Sequence, residues 1–254
     1  MKNLIIVFLL ICTTLSYSQK DNTKVTRVNY TVEIMAGKNK PESKRKTTAV
    51  LDIQENNSRF MDLGLYNQLD VDNIKNNEDM ARPLFNWAVV KDGKTLKFYE
   101  TIGLTKSYYE DDIKSLNWHI EPEIIEWQNY NVQKATCDYG GREWTVYFTQ
   151  DIAIQGGPYK FVNLPGLVVK AWDANNEYSF EVINSENIAT NWIILDNDYY
   201  QPYTKKETDK ARKTNANKTY LQLFEERGQK VGEANKAFFN RKIGDTENPI
   251  EKDF

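Results

Sequence analysis

His119 and Cys137 are the side chains that could form a nucleophile–base pair. His119 is the single histidine of this 254-residue chain, and Cys137 is one of its two cysteines. A Ser–His or Cys–His mechanism would therefore have to use His119 as its base. However, His119 stands between Trp118 and Ile120 in an alternating run, which predicts that its side chain faces water. The sequence around Cys137 contains nothing that would activate the thiol, and no Gly-x-Ser-x-Gly motif occurs.

Carboxylates are the other groups that could do chemistry. Glu121, Glu123 and Glu126 lie close together, and Glu110–Asp112 is a run of three acids. Glycoside hydrolysis uses a pair of carboxylates, but these spacings define no geometry, and solvated loops explain such runs. We therefore predict no catalytic residue and favour a non-catalytic protein. A hydrolase that uses carboxylates or Cys137 is the alternative.

Cofactor and nucleic-acid sites have equally little support in the sequence. It contains no string of histidines, no EF-hand ladder and no phosphate-binding glycine loop beyond the weak Gly140-Gly141. We therefore predict no metal and no cofactor. A net charge of −3 and a pI near 5.5 argue against binding to nucleic acid.

The N-terminus has the form of a secretory signal peptide over residues 1–18. The apolar run from Leu4 to Cys12 follows a lysine, and Ser16 and Ser18 occupy the −3 and −1 positions of a cleavage site. Ile11 before Cys12 is too large for a lipoprotein signal. We expect export to the periplasm, the outer membrane or the cell exterior. Residues 19–254 then form one domain with no membrane-spanning segment and no internal disulfide.

Period-two patterns dominate the rest of the chain. Val28, Tyr30, Val32 and Ile34 alternate with polar residues, and Asp92-Gly93 between two such runs predicts a hairpin. About ten strands of this kind predict a mainly β (β-rich α+β) fold, with a single curved or partly closed antiparallel sheet. Residues 67–82 are predicted as a solvated loop or a short helical excursion.

A long C-terminal helix is predicted over about 204–240. Thr204 and Glu207 form a capping-box pattern at its start, and Gly228 and Gly232 are potential breaks. The first turns are almost entirely polar. We therefore expect the first half to project into water and the second half to lie on the sheet.

The string from Gly156 to Val168 is the most distinctive part of the sequence. Leu164-Pro165-Gly166-Leu167 predicts a type II turn with Gly166 at positive φ and both leucines on one apolar surface. Before it, Gly157-Pro158 predicts a bend, and Tyr159 and Phe161 are predicted on one face of a strand. A turn that closes the core is the preferred interpretation, and the rigid lip of a ligand cleft is the alternative.

This string resembles the GLPGLI family of exported proteins, which is abundant in Bacteroidetes-type bacteria. Three further strings also resemble it: Lys134-Ala135-Thr136, Gly141-Arg142-Glu143-Trp144 with the following Tyr147-Phe148-Thr149, and Asn248-Pro249-Ile250-Glu251. Asn163 and Val168 replace the first Gly and the final Ile of the name motif. Asn is the best substitute for a Gly that holds positive φ. The resemblance implies an exported β-rich protein and carries over no catalytic residue.

Aromatic residues are unusually frequent, at 13% of the chain. Many lie on alternating strands, including Trp87, Tyr99, Trp127, Tyr147 and Trp172. They either fill cross-strand positions or form a surface that binds lipid, peptide or glycan. Trp144, Tyr159, Phe161 and Trp172 are the predicted binding residues. We expect an accessory protein of the cell envelope that binds a hydrophobic ligand, a peptide or an envelope protein, with a structural envelope component as a further alternative.

Overall fold

The computed structural model describes residues 23–69, 82–190, 192, 195 and 199–254. The predicted signal peptide and most of the predicted loop at 67–82 lie outside the described residues. Residues 67–69 of that segment end a short helix.

The described residues contain twelve strands and four helices. The strands are β1 (Thr23–Met35), β2 (Lys44–Gln54), β3 (Asn57–Asp62), β4 (Ala88–Asp92), β5 (Thr95–Ile102), β6 (Thr105–Asp112), β7 (His119–Trp127), β8 (Tyr130–Tyr139), β9 (Arg142–Thr149), β10 (Leu167–Asp173), β11 (Tyr178–Thr190) and β12 (Gln201–Tyr203). The helices are α1 (Leu63–Leu69), α2 (Lys205–Asn217), α3 (Tyr220–Glu226) and α4 (Glu233–Phe239).

All twelve strands belong to one sheet, in the order β12-β6-β5-β4-β3-β2-β1-β11-β10-β9-β8-β7. Neighbouring strands are antiparallel, except that β12 pairs with β6 in parallel. The predicted mainly β fold with a single, predominantly antiparallel sheet is therefore confirmed. The parallel strand β12 was not predicted, because three residues are too few to show a period.

The sheet curves until strands near its two ends meet. β6 is second in the order and β8 is eleventh, yet Lys160 donates hydrogen bonds to Asp111 on β6 and to Tyr139 on β8. Lys160 lies in the connection between β9 and β10. This connection fills the concave side of the sheet, so one aromatic core is shared by both halves.

The predicted hairpin at Asp92-Gly93 is confirmed, since β4 pairs with β5 from Asp92↔Thr95 onward. Within this turn only Gly93 has positive φ, at +56°. The turn therefore needs one left-handed residue there and not two.

The predicted long C-terminal helix is divided into α2, α3 and α4. The capping box of Thr204 and Glu207 begins α2 as predicted. A second capping box, between Thr219 and Gln222, begins α3 and so ends the first helix. Gly228 adopts a φ of +70° after α3, which separates it from α4.

The expectation about which half of this segment packs on the sheet was wrong. Thr208 and Arg212 of the polar helix α2 are buried, whereas α3 and α4 contain no buried residue. Arg212 holds α2 on the sheet through ion pairs with Glu100 and Glu251. An apolar stripe is only one way to attach a helix, and here buried charge pairs take its place.

Candidate functional site

Lys160 lies at the centre of the curved sheet with its ammonium group fully buried. It donates hydrogen bonds to the hydroxyls of Tyr109 and Tyr139, at 2.6 and 2.9 Å. Its Nζ lies 2.6 Å from Glu251 Oε1 and 3.0 Å from Asp111 Oδ2. All of these partners are needed, because a buried ammonium without them would be strongly unfavourable.

Glu251 is the counterion shared by several buried cations. It pairs with Lys160 and with Arg212, and it accepts hydrogen bonds from the hydroxyls of Tyr109 and Tyr159. Burial alone would raise the pKa of Glu251, but the charges of Lys160 and Arg212 hold it well below its usual value. The carboxylate is therefore ionised at neutral pH.

Arg142 forms a second buried network with the residues around Asn248. Its guanidinium pairs with Asp173 and Glu177, each at 2.7 Å. It also donates to Asn248 Oδ1 at 2.9 Å and to the carbonyl oxygen of Pro249 at 2.6 Å. Three of the four strings that carry the family resemblance thus meet in space, because the Gly141-Arg142 string and the segment around Lys160 both bind Asn248–Glu251.

These two networks join the C-terminal segment Asn248–Glu251 to the interior of the sheet. Their acids and bases are buried and form ion pairs with one another. Lys160 lies within the Gly156–Val168 string and Glu251 ends the Asn248–Glu251 string, but no ion pair was predicted for either, and Asp111 was predicted in a solvated loop. Asp111 instead is the penultimate residue of β6 and binds Lys160. The sequence does not indicate that Lys160, Glu251 and Asp111 contact one another, since these charged residues become neighbours only when the sheet curves.

His119 and Cys137, the two residues considered as a base and a nucleophile, differ in exposure. His119 is exposed, as predicted, whereas Cys137 is buried on β8. Burial raises the pKa of the Cys137 thiol to about 12, so the reactive thiolate is scarce at neutral pH. Of the predicted carboxylates, Glu121 forms an ion pair with Lys134. No group of three or more His, Cys, Asp and Glu residues suited to a metal ion occurs in the described ranges.

The type II turn predicted at Leu164–Leu167 is wrong, because Gly166 does not have positive φ. A glycine is required for a different reason: a Cβ at Gly166 would lie 2.1 Å from the carbonyl oxygen of Thr149. Leu164 and Leu167 are both in the core, as predicted. Asn163 has a φ of +66°, which is the conformation expected of an asparagine in place of glycine. Pro165 is exposed.

The residues before this turn pack the interior. A Cβ at Gly157 would lie 2.7 Å from the carbonyl oxygen of Phe161, so the chain bends tightly there. The buried Pro158 begins a turn in which its carbonyl accepts from the Phe161 amide at 3.1 Å. Tyr159 and Phe161 do not form the predicted strand, and Tyr159 has a φ of +53°. Their rings nevertheless contact each other edge to face, at 5.4 Å between centroids.

Three of the four predicted binding residues are part of this core. Trp144, Tyr159 and Phe161 are 1%, 2% and 0% exposed. They have no surface free to contact a ligand, because they fill the concave side of the sheet. Trp172 is different, since it lies half-buried on the opposite face of β10.

Trp172 belongs to a surface groove of about 650 Å³ on the outer face of the sheet. We call it the outer groove. Three of its residues are aromatic: Trp127, Tyr147 and Trp172. The ring of Tyr147 lies edge to face against Trp172, at 5.1 Å between centroids, and 6.2 Å from Trp127. Strand alternation puts these rings outside, since Ala171 and Val146 on the same strands are buried.

Polar side chains from neighbouring strands surround these rings. In the strand register Lys170 is opposite both Tyr147 and Glu181, and Ser179 is opposite Trp172. Lys170 Nζ lies 5.4 and 5.6 Å from the ring centroids of Trp127 and Trp172. Lys170 was missed in the sequence, although its position two residues before Trp172 places it on the same face.

At the far side of the outer groove are Glu33 and Lys44, with Asn176 in the adjoining turn. Lys44 lies 3.9 Å from Glu33, and Lys170 lies 3.5 Å from Glu181. Both acids of the outer groove are therefore ion-paired, and the outer groove combines apolar ring surface with hydrogen-bonding groups.

Comparison with known proteins supports the fold. No family model matches the chain, and no curated protein matches it. Among solved structures, PNGF-II in the C2 space group is similar, with a TM-score of 0.50 and 14% identity over 76% of this chain and 34% of that one. PNGF-II in the P21 space group gives a TM-score of 0.51 and 12% identity over 78% and 36%. The chain thus spans about a third of the PNGF-II chains. Within the described residues no helix is long and apolar enough to cross a membrane. At these identities the similarity shows that this chain has the same type of β-rich fold.

Proposed function

We propose that this chain is an exported, non-catalytic binding protein of the bacterial cell envelope, of the GLPGLI type, and that it recognises its partner through the outer groove. One observation carries the binding role. Trp127, Tyr147 and Trp172 are grouped on the outer face of the sheet, where strand alternation normally places polar residues. Grouped aromatic rings at a surface are typical of recognition sites.

The interior supports a binding role more than a catalytic one. The buried acids and bases form ion pairs, and the aromatic side chains on the concave side pack against one another. The hydrolase alternative would need a thiolate at Cys137, whose pKa is raised, or a carboxylate pair that reaches a substrate. The predicted signal peptide and the resemblance to exported proteins support the cell envelope as the compartment.

Native mass spectrometry tests this function. The protein, purified gently from its own envelope, is compared with Trp172→Ala and with Tyr199→Ala as a control. Tyr199 is a 69% exposed aromatic residue that is not part of the outer groove. We expect a bound mass in the wild type and in Tyr199→Ala that is lost in Trp172→Ala. An unliganded mass in every wild-type preparation, or an equal bound mass in Trp172→Ala, would contradict the proposal.

A further inference from the structure

The chemistry of the outer groove narrows the class of ligand, provided that the groove is the binding site proposed above. Its three aromatic rings offer apolar surface to a ligand with apolar faces. The same groove contains Ser179, Asn176 and two ion pairs. A purely apolar ligand would separate these polar groups from water without replacing their hydrogen bonds, which is unfavourable.

Ion pairing argues against an anionic ligand. Glu181 pairs with Lys170, and Glu33 pairs with Lys44 and, at 2.7 Å, with Lys46. Each of these lysines thus has a carboxylate partner, and none is left unpaired to bind a phosphate or a nucleic acid. The ligand that fits is therefore neutral, with both donors and acceptors.

The hydrogen-bonding groups are held in place. Glu181 Oε1 accepts a hydrogen bond from Gln128 at 2.8 Å, and its other oxygen faces Lys170. The ammonium group of Lys170 lies near the rings of both Trp127 and Trp172. Lys170, Trp172 and Glu181 lie at paired positions of β10 and β11, which fixes the places of these side chains. A ligand therefore meets a preformed surface.

We propose that the outer groove binds a neutral carbohydrate chain. A sugar ring has one face of C–H groups, which would lie on Trp172 or Trp127, and a rim of hydroxyls that both donate and accept hydrogen bonds. Those hydroxyls match Glu181, Lys170, Asn176 and Ser179. The volume of about 650 Å³ lies within the ~300–1,000 Å³ typical of small-ligand sites, and the groove is open to solvent, so a longer chain can extend beyond it.

Affinity electrophoresis tests this assignment. The purified protein is run through native gels that contain soluble neutral polysaccharides: a β-glucan, a mannan, a xylan and amylose. We expect at least one of them to retard the wild type, with binding weakened roughly tenfold or more in Trp172→Ala, equivalent to about 1.4 kcal/mol. Tyr199→Ala should bind like the wild type, and Trp172→Phe should recover part of the affinity, because it restores an aromatic ring.

The same variants are tested on a peptide array and on vesicles of phosphatidylethanolamine and phosphatidylglycerol. Peptide or vesicle binding that requires Trp172, with no retardation by any polysaccharide, would support the outer groove as the binding site but overturn the carbohydrate ligand. Retardation that persists in Trp172→Ala would overturn both, since the sugar would then bind elsewhere. Thermal unfolding of each variant shows that loss of binding is not loss of fold.

Discussion

Lys160 and Glu251 show how single residues hold this fold together. Each is buried and is stabilised by the other and by partners from distant segments: Tyr109 of β6 contacts both, and Arg212 of α2 pairs with Glu251. Buried ion pairs are not strong sources of net stability, but removing one partner leaves the other unpaired in a dry environment. The strings that contain Arg142 and Glu251 stand out in the sequence by their resemblance to a family. Their contacts cannot be predicted from the sequence, because they depend on the curvature of the sheet.

Glu251→Gln should strongly destabilise the protein. The amide can still accept hydrogen bonds from Tyr109 and Tyr159, but it leaves the charges of Lys160 and Arg212 without their counterion. We expect a loss of about 3–5 kcal/mol in the free energy of unfolding, measured by urea denaturation. The control is Glu233→Gln on α4, an exposed carboxylate paired with Lys236, which should lose less than about 1 kcal/mol. Equal losses in the two variants would contradict this account of Glu251.

Acid should weaken the fold through the same carboxylate. The pKa of Glu251 is lower in the folded protein than in the unfolded chain, so the unfolded chain binds the proton more tightly. The contribution of Glu251 is complete above its unfolded pKa of about 4.3 and is lost as the pH falls further. We expect the urea concentration at the midpoint of unfolding of the wild type to decrease as the pH is lowered from about 5 to about 3. A pH profile in Glu251→Gln that is as steep as the wild-type profile would show that other groups cause the loss.

Cys137 should be unreactive in the native protein. Its side chain is buried, so a reagent in solution reaches it poorly. Burial also raises the pKa of its thiol to about 12, so little of it is thiolate at neutral pH. In the Cys12→Ser variant, Cys137 is the one remaining cysteine. We expect iodoacetamide to alkylate it slowly at pH 8 and rapidly when urea is added. Rapid labelling without urea would restore Cys137 as a candidate nucleophile.

At the scale of elements, strands were easier to predict than the segments that fill the sheet. Alternation revealed β1, β5 and β9, because each has one buried and one wet face. The packing of the 204–240 segment could not be predicted from its hydrophobic pattern, since α2 is attached by Arg212 instead of an apolar stripe. The turn at Gly166 was also misjudged: composition indicated a glycine requirement, but the cause is contact with β9 and not backbone conformation.

Gly166→Ala tests that cause with a single added carbon. Its Cβ would lie 2.1 Å from the Thr149 carbonyl oxygen, so the β9–β10 connection must move away from the sheet. We expect a loss of at least about 3 kcal/mol in the free energy of unfolding, or failure to fold. Gly232→Ala is the matched control, because its Cβ would meet nothing within 4 Å, and it should cost less than about 1 kcal/mol. Similar melting curves for the two variants would refute the close approach at Gly166.

At the scale of the whole molecule, the sheet separates two aromatic populations. One fills the concave side around Trp144 and Phe161, and the other lines the outer groove around Trp172. From the sequence, core packing and a binding surface were alternative uses of these aromatic residues, because individual rings cannot be assigned to a face of the sheet where a strand boundary is unknown. Trp144 and Trp172 both stand in alternating runs, and only the strand register shows that they face opposite ways.

Site-specific photo-crosslinking tests the central claim that the outer groove is the binding surface. A photo-reactive amino acid replaces Ser179, inside the outer groove, or Lys94, in the exposed turn between β4 and β5, and cells are irradiated before the envelope is isolated. We predict one dominant crosslinked product from position 179 that is absent from position 94 and disappears when Trp172→Ala is added. The same products from both positions, or a product at 179 that persists with Trp172→Ala, would contradict the outer groove as the binding surface.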